Sequence, residues 1–296
     1  MELKSISFTN LSYNSRCVYA SFLAIFGLAS ISGNIISIVA FCERTMRSKS
    51  NHFLISLAVS DLLVGGMCIL STCHLMIDQL FFTKDFIIIS FILISFCTTS
   101  STISLAWISY DRFCKLDPQT YDDKISDLKS KLVIVSAWIA PGIIELFIFV
   151  HLDITKILLV ISTIISACII CVFYRRIRRK IKADTLALNN ATQDEETKKL
   201  RLQKDKRSGR RLTVLIFSYF ACFMPIGLGI LLTMLVTSVL DLDSTTLQHF
   251  RIIGICALTF DSVLNPIIHL TTNEKMRKVT KKMIGFGRPN TTQPLN

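Results

Sequence analysis

The chain has 296 residues, of which 51% are hydrophobic and 18% charged. A soluble domain carries roughly 25% charged residues, so too little polar surface remains here to cover a soluble enzyme, and disorder is excluded for the same reason. The formal charge of +12 would suggest nucleic acid in a soluble protein, but in so apolar a chain the placement of the charge decides its meaning.

A spanning helix needs about 20 apolar residues, because the hydrocarbon core is about 30 Å thick. Seven segments meet or approach that length, at about 17–42, 53–77, 86–112, 132–152, 157–174, 212–240 and 252–272. The fold class is therefore all-α, a seven-transmembrane helix bundle. Residues 1–16 form an N-terminal segment ahead of the first span. That first span is too long for a cleavable signal peptide and contains the polar pair Gly33-Asn34, so it reads as a retained helix. The connection between spans four and five is almost absent, about Asp153–Lys156, whereas the longest, about Arg175–Arg211, is strongly basic. Its two ends are expected to continue spans five and six as helix. Residues 273–286 alternate apolar and basic side chains, which predicts an amphipathic helix suited to anionic lipid, and 287–296 form a tail.

Lys and Arg set the orientation. Of the 33, 28 fall on alternate connections that share one side with the C-terminus, and only Lys4, Arg16, Lys84, Lys156 and Arg251 fall on the other. The N-terminus is expected outside and the C-terminus in the cytoplasm, as in a multi-pass plasma-membrane protein. The positive charge therefore reports orientation and not a nucleic-acid partner. The sequon at Asn10 is then an outside glycosylation site.

Polar residues at membrane depth are costly and are functional candidates by default. Asn34, Asp61, Ser101, Asp261, Ser262 and Asn265 all lie near mid-span of helices one, two, three and seven. They predict a hydrated polar pocket able to hold a cation such as Na⁺ at Asp61 and Asp261, since two carboxylates without one would repel. Glu145 stands alone in span four.

These residues, with others, resemble a family. Gly33-Asn34, Leu57-Ala58-Val59-Ser60-Asp61-Leu62, Asp111-Arg112-Phe113, Trp138, Cys222-Phe223-Met224-Pro225 and Asn265-Pro266-Ile267-Ile268-His269 follow in order, each on its expected span. Together they resemble the motif set of rhodopsin-like (class A) G-protein-coupled receptors. The resemblance implies that Arg112 is a switch held by Asp111 and by Asp205 at the inner end of helix six. Activation would break the Arg112–Asp205 pair and swing helix six outward, opening a cytoplasmic crevice for a heterotrimeric G protein. Pro225 would be the hinge and Phe223 the aromatic toggle, with Cys222 beside it and Tyr219 one turn inward. Asp61, Ser101, Asp261, Ser262 and Asn265 match the family's sodium site; no other cofactor is implied.

The departures from the pattern are specific. Phe113 replaces a Tyr, Phe223 a Trp, and His269 a Tyr that bridges through water to a helix-five Tyr, here Tyr174. A histidine bridge would make activation sensitive to pH near neutrality. Span five has no Pro, with Ser166 about where one is expected, and no Cys stands among residues 86–89, so the usual loop disulfide is not expected. These features resemble the melanocortin receptors, and Asn273–Lys278 resembles melanocortin and adenosine receptor tails.

Ile94 stands where aminergic receptors carry an Asp, and Thr259 where opsins carry a Lys, which excludes retinal. The resemblance implies a pocket lined by Ile94, Thr98, Leu158, Ser162, Phe223, Ile226, Gly227, Ile230, Arg251 and Ile255. That lining predicts an apolar small molecule, a lipid or a peptide as the extracellular ligand. Other classes are weaker. A channel or transporter would need ionisable residues along a pore, and there is one polar cluster. An enzyme would need a metal-spaced or Ser/His set, and the spans hold none. A heptahelical protein that does not couple stays open because of Phe223 and His269.

Overall fold

The computed structural model describes residues 11–46, 48–77, 84–116, 126–147, 152–189, 196–239, 244–283 and 285. Asn10 lies outside them. The side chains of 223–244 and of Arg251 also lie outside, which covers Phe223, Pro225, Ile226, Gly227 and Ile230.

Seven long helices and a short eighth make up most of the described residues. They are α1 (Tyr13–Cys42), α2 (Lys49–Met76), α3 (Lys84–Cys114), α4 (Asp127–Leu146), α5 (Leu152–Asn189), α6 (Glu196–Val239), α7 (Ser244–Thr272) and α8 (Glu274–Met283). A short 3-10 turn, Arg44–Met46, follows α1. Among the described residues, five helices contain stretches long and apolar enough to cross a membrane: Tyr13–Cys42, Asn51–Met76, Ile92–Cys114, Ile157–Ala187 and Gln248–Thr272.

Helix ends follow local chemistry more than hydropathy. α1 begins at Tyr13 because the Ser12 hydroxyl accepts from the Ser15 N–H at 3.2 Å. α4 starts at Asp127, ahead of its apolar run, because Ser126 caps it by accepting from the Lys129 N–H at 3.3 Å. α5 and α6 extend well beyond their apolar segments into the basic loop. Asn273 separates α7 from α8, and its Oδ1 accepts from the Met276 N–H at 3.4 Å.

α1 packs against α2 and α7, α3 lies among α2, α4 and α5, and α7 meets α1, α2 and α6. The α1–α2 contact is close because it is built on glycine. A Cβ on Gly27 would stand 3.0 Å from the Gly65 carbonyl oxygen, and a Cβ on Gly65 would stand 3.0 Å from that of Gly27. Gly33 faces Pro266 of α7, where a Cβ would meet the ring at 2.8 Å.

Two apolar clusters fill the end of the bundle that carries the basic loops. One joins α3, α5, α6 and α7 around Leu105, Ile170, Leu215 and Tyr219. The other joins α1, α2 and α3 around Phe41, Leu57 and Ile108, and it also takes the fully buried Met276 of α8. Met276 thus docks α8, whose Lys275, Arg277, Lys278, Lys281 and Lys282 stay exposed. On this exposed face the Lys278 ammonium, 3.1 Å away, holds the Glu274 carboxyl below its usual range. A third cluster, around Leu23, Val64, Cys97 and Ile252, fills the opposite end. All ten cysteines are free thiols.

Candidate functional site

Asp61 is 1% exposed and sits where α2 meets α1, α3 and α7. Its Oδ1 accepts from the Ser101 and Ser262 hydroxyls, each at 3.1 Å. Its Oδ2 accepts from Asn265 Nδ2 at 2.7 Å. A carboxylate offers about four acceptor positions, so most are filled by donors from α3 and α7. α1 joins by a second route. The Ser30 hydroxyl donates to the Asp61 carbonyl at 2.9 Å, and Asn34 Nδ2 donates to the Ser262 carbonyl at 3.1 Å. Asn34, Asp61, Ser101, Ser262 and Asn265, expected together from the sequence, therefore share one network.

Asp261 faces elsewhere. Adjacent residues on a helix point about 100° apart. Ser262 turns to Asp61, while Asp261 turns toward α6, where Ser218 lies beside it and Tyr219 and Cys222 are near. Among the described residues, one oxygen of the buried Asp261, Oδ1, has no hydrogen-bond partner. Asp61, Ser101 and Ser262 bring oxygens together, the atom type that hard cations take, while Asp261, expected from the sequence to share that pocket, is turned to α6. Among the described residues no three His, Cys, Asp or Glu side chains come together as a metal cluster.

A second site lies at the basic end. Arg112 of α3, Ser208 of α6, and His269 and Asn273 around the end of α7 line a small crevice of about 30 Å³, with Ile108 and leucines of α2 and α6 completing its walls. Asp111 is buried and pairs with Lys115 at 3.8 Å. Asp205 is half-buried on α6, one turn before Ser208. His269 packs edge-on against Phe41 of α1, with ring centres 5.5 Å apart. Tyr174 stands on the α5–α6 side, where its hydroxyl accepts from Arg178 at 3.1 Å and Thr213 at 3.4 Å. Phe113 stacks near Phe173 and under the Arg176 guanidinium.

Of the expected ligand-pocket residues, Ile94, Thr98, Leu158, Ser162 and Ile255 are half-buried. Thr98 and Ser162 spend their hydroxyls on their own helices, donating to Ile94 and Leu159 carbonyls at 2.9 and 2.8 Å. Tyr219 is 2% exposed, and its hydroxyl lies by Thr102 of α3. Cys222 is buried on the same helix.

Several links escaped the sequence reading. Ser30 was findable, because it precedes Asn34 by four residues and so shares its helix face. Trp138 Nε1 donates to the Ser56 hydroxyl at 3.0 Å, and Cys68 Sγ meets Thr259 Oγ1 at 2.7 Å. The Tyr19 hydroxyl meets His249 Nδ1 at 2.7 Å, tying α1 to α7. These pairs are far apart in the chain, and no local pattern announces them.

The model of the seven-transmembrane receptors of the rhodopsin family matches residues 33–157 and 152–269, most of the chain. The chain belongs to the rhodopsin family of seven-transmembrane receptors. It is a receptor by family and not an enzyme. The receptor is 31% identical over 135 residues to the 5-hydroxytryptamine receptor 4 of Homo sapiens, covering 44% of this chain and 35% of that protein. It is 29% identical over 133 residues to the muscarinic acetylcholine receptor M3 of Sus scrofa, covering 44% of this chain and 22% of that protein. The match thus spans about a third or less of these curated relatives. They bear on the family and do not select a melanocortin- or adenosine-like subgroup.

Proposed function

We propose that this receptor sits in the plasma membrane with its N-terminus outside, binds a ligand there, and drives a heterotrimeric G protein through an outward swing of α6. The observation that carries the reading is the crevice at the basic end. Arg112 of α3 shares it with Ser208 and Leu212 of α6, so withdrawal of α6 would remove one wall and widen it. In the resting state Asp205 holds Arg112, because a guanidinium stays charged and can pair bidentately with a carboxylate. Breaking that pair frees the switch, with Pro225 as hinge, Phe223 as toggle, and Tyr174 and His269 closing on the moved helix. A G protein and anionic lipid would meet the basic face, including α8.

The polar core would hold Na⁺ through Asp61, Ser101 and Ser262, with Asp261 as a second acid. A bound cation would offset the two buried carboxylates and favour the resting packing. Stability should therefore rise with Na⁺ and lose that response in Asp61→Asn. The two relatives are named for 5-hydroxytryptamine and acetylcholine, but Ile94 here offers no acid on α3. An apolar small molecule, a lipid or a peptide fits the expected lining better. The melanocortin- or adenosine-like subgroup and glycosylation at Asn10 complete the reading.

The test is second-messenger output in cells expressing the chain, with Arg112→Ala as the comparison. Output that falls in the variant supports the switch; identical output in both forms removes it. A receptor-like protein that does not couple is the second reading, favoured by Phe223 and His269. It predicts no output from either form at matched surface expression.

A further inference from the structure

Glu145 occupies the last turn of α4, at the end of the bundle opposite the basic loops. It is 4% exposed, and among the described residues neither carboxylate oxygen has a hydrogen-bond partner. Ser95 of α3 lies alongside, short of a formed bond. A buried carboxylate in this state is costly unless something positive meets it. Residues 86–110 of α3 and 157–174 of α5 contain no Asp, Glu, Lys or Arg. The charges of these two helices at this end, Lys84 and Asp85 on α3 and Asp153 and Lys156 on α5, stand on their first turns, outside the described side chains.

The surroundings have a definite chemistry. The buried face of α4 is Ser130, Ala137, Pro141 and Glu145, mostly small side chains below the acid. Gly142, one turn before Glu145, faces Phe96 of α3, where a Cβ would find the ring at 3.6 Å. Phe96 in turn packs on Trp138, with ring centres 5.7 Å apart. A carboxylate with a hydroxyl beside it and aromatic rings one to two turns below are the groups that recognise an alkyl- or arylammonium.

We infer that Glu145 anchors a cationic group of the ligand, an ammonium or guanidinium on an apolar body, between α3 and α4. The inference rests on the reading that a ligand enters at this end, and it narrows that ligand to one carrying a positive charge. Glu145 supplies the charge partner, Ser95 a further hydrogen-bond acceptor, and Phe96 the apolar wall. The acid comes from α4 and not from α3, so the ligand would lie closer to the α3–α4 edge than to the centre of the bundle.

The experiment is a melting measurement on the purified full-length receptor with 2-phenylethylammonium, set against its neutral counterpart 2-phenylethanol. The ammonium should raise the melting temperature and the alcohol should not, because a ligand stabilises only the state it binds. Glu145→Gln should abolish the difference, and Ser95→Ala should reduce it. Without either compound, Glu145→Gln should melt no lower than the parent, since it removes a buried carboxyl that has no hydrogen-bond partner among the described residues. Equal shifts from both compounds, no shift from either, or an ammonium effect that survives Glu145→Gln would each overturn the inference. A lower melting point of Glu145→Gln alone would do so too, by showing that the carboxylate is bonded within the chain. Melting reads binding without a G protein, so failure here is distinct from failure of coupling at Arg112.

Discussion

The α1–α2–α7 side of the bundle and the α4–α5 side hold together by different means. On the first, glycine brings backbones close and polar side chains bond across helices: Ser30 and Asn265 to Asp61, Asn34 to Ser262, Tyr19 to His249. On the second, large side chains such as Ile161, Ile164, Ile165 and Val172 face outward, and Ser162 and Thr163 bond to their own helix. Of the apolar stretch of α2, 61% is buried; of that of α5, 11%. Lipid is as apolar as leucine, so contacts of the second kind add little cohesion between helices. The polar side is built as a frame, whereas α5 is held through one buried apolar face that it shares with α3, α6 and α7. In the proposed mechanism, α6 moves against α5 within that apolar cluster.

Substitutions can break or sharpen this contrast. Asp61→Ala should have the largest effect. It strands three donors from α3 and α7, and interhelical bonds in membranes are worth about 0.6 to 1.7 kcal/mol each, so a loss of about 2–5 kcal/mol is expected. Thermal unfolding of the purified receptor measures it, and a loss no larger than that of a surface change would end the idea of a polar frame. Gly33→Ala comes next, at about 1–3 kcal/mol, because its Cβ would press on the Pro266 ring at 2.8 Å. If α1 simply drifts away from α7, the loss vanishes and the close approach is not structural.

Thr213→Val removes the one hydroxyl described as crossing from α6 to Tyr174 of α5. The bond is long at 3.4 Å, so about 0.5 kcal/mol is expected, with basal second-messenger output raised if the contact restrains α6. Ile164→Ala, on the exposed face of α5, should change unfolding by under about 0.5 kcal/mol. A larger loss would mean that this face is covered by protein and not by lipid.

Much of the frame could be read without coordinates. Asn34, Asp61, Ser262 and Asn265 stand out because a polar side chain in an apolar run has no solvent to satisfy it, so it must meet another. Ser30 follows from Asn34 by the helical repeat. Asp261 could not be placed in this way. It adjoins Ser262 in the chain, and only the rotation of α7 assigns one to Asp61 and the other to α6. Tyr174 shows the same limit in its bond to Thr213, which depends on how α5 and α6 face each other, whereas Arg178 lies one turn along its own helix.

Composition and charge order by themselves determined a membrane bundle of seven helices, its expected orientation, and the mid-span residues that needed partners. These properties are sums or periods along one strand of sequence, and hydrophobic length and helical repeat translate them directly. Partner choice belonged to the tertiary structure. Which oxygen of Asp61 takes which donor, that Met276 pins α8, and that Glu145 is buried beside Ser95 without a bond all depend on helix rotation and spacing. Rotation and spacing are set by packing between residues distant in the chain, such as Gly33 on Pro266 and Gly27 on Gly65, and no local pattern encodes them.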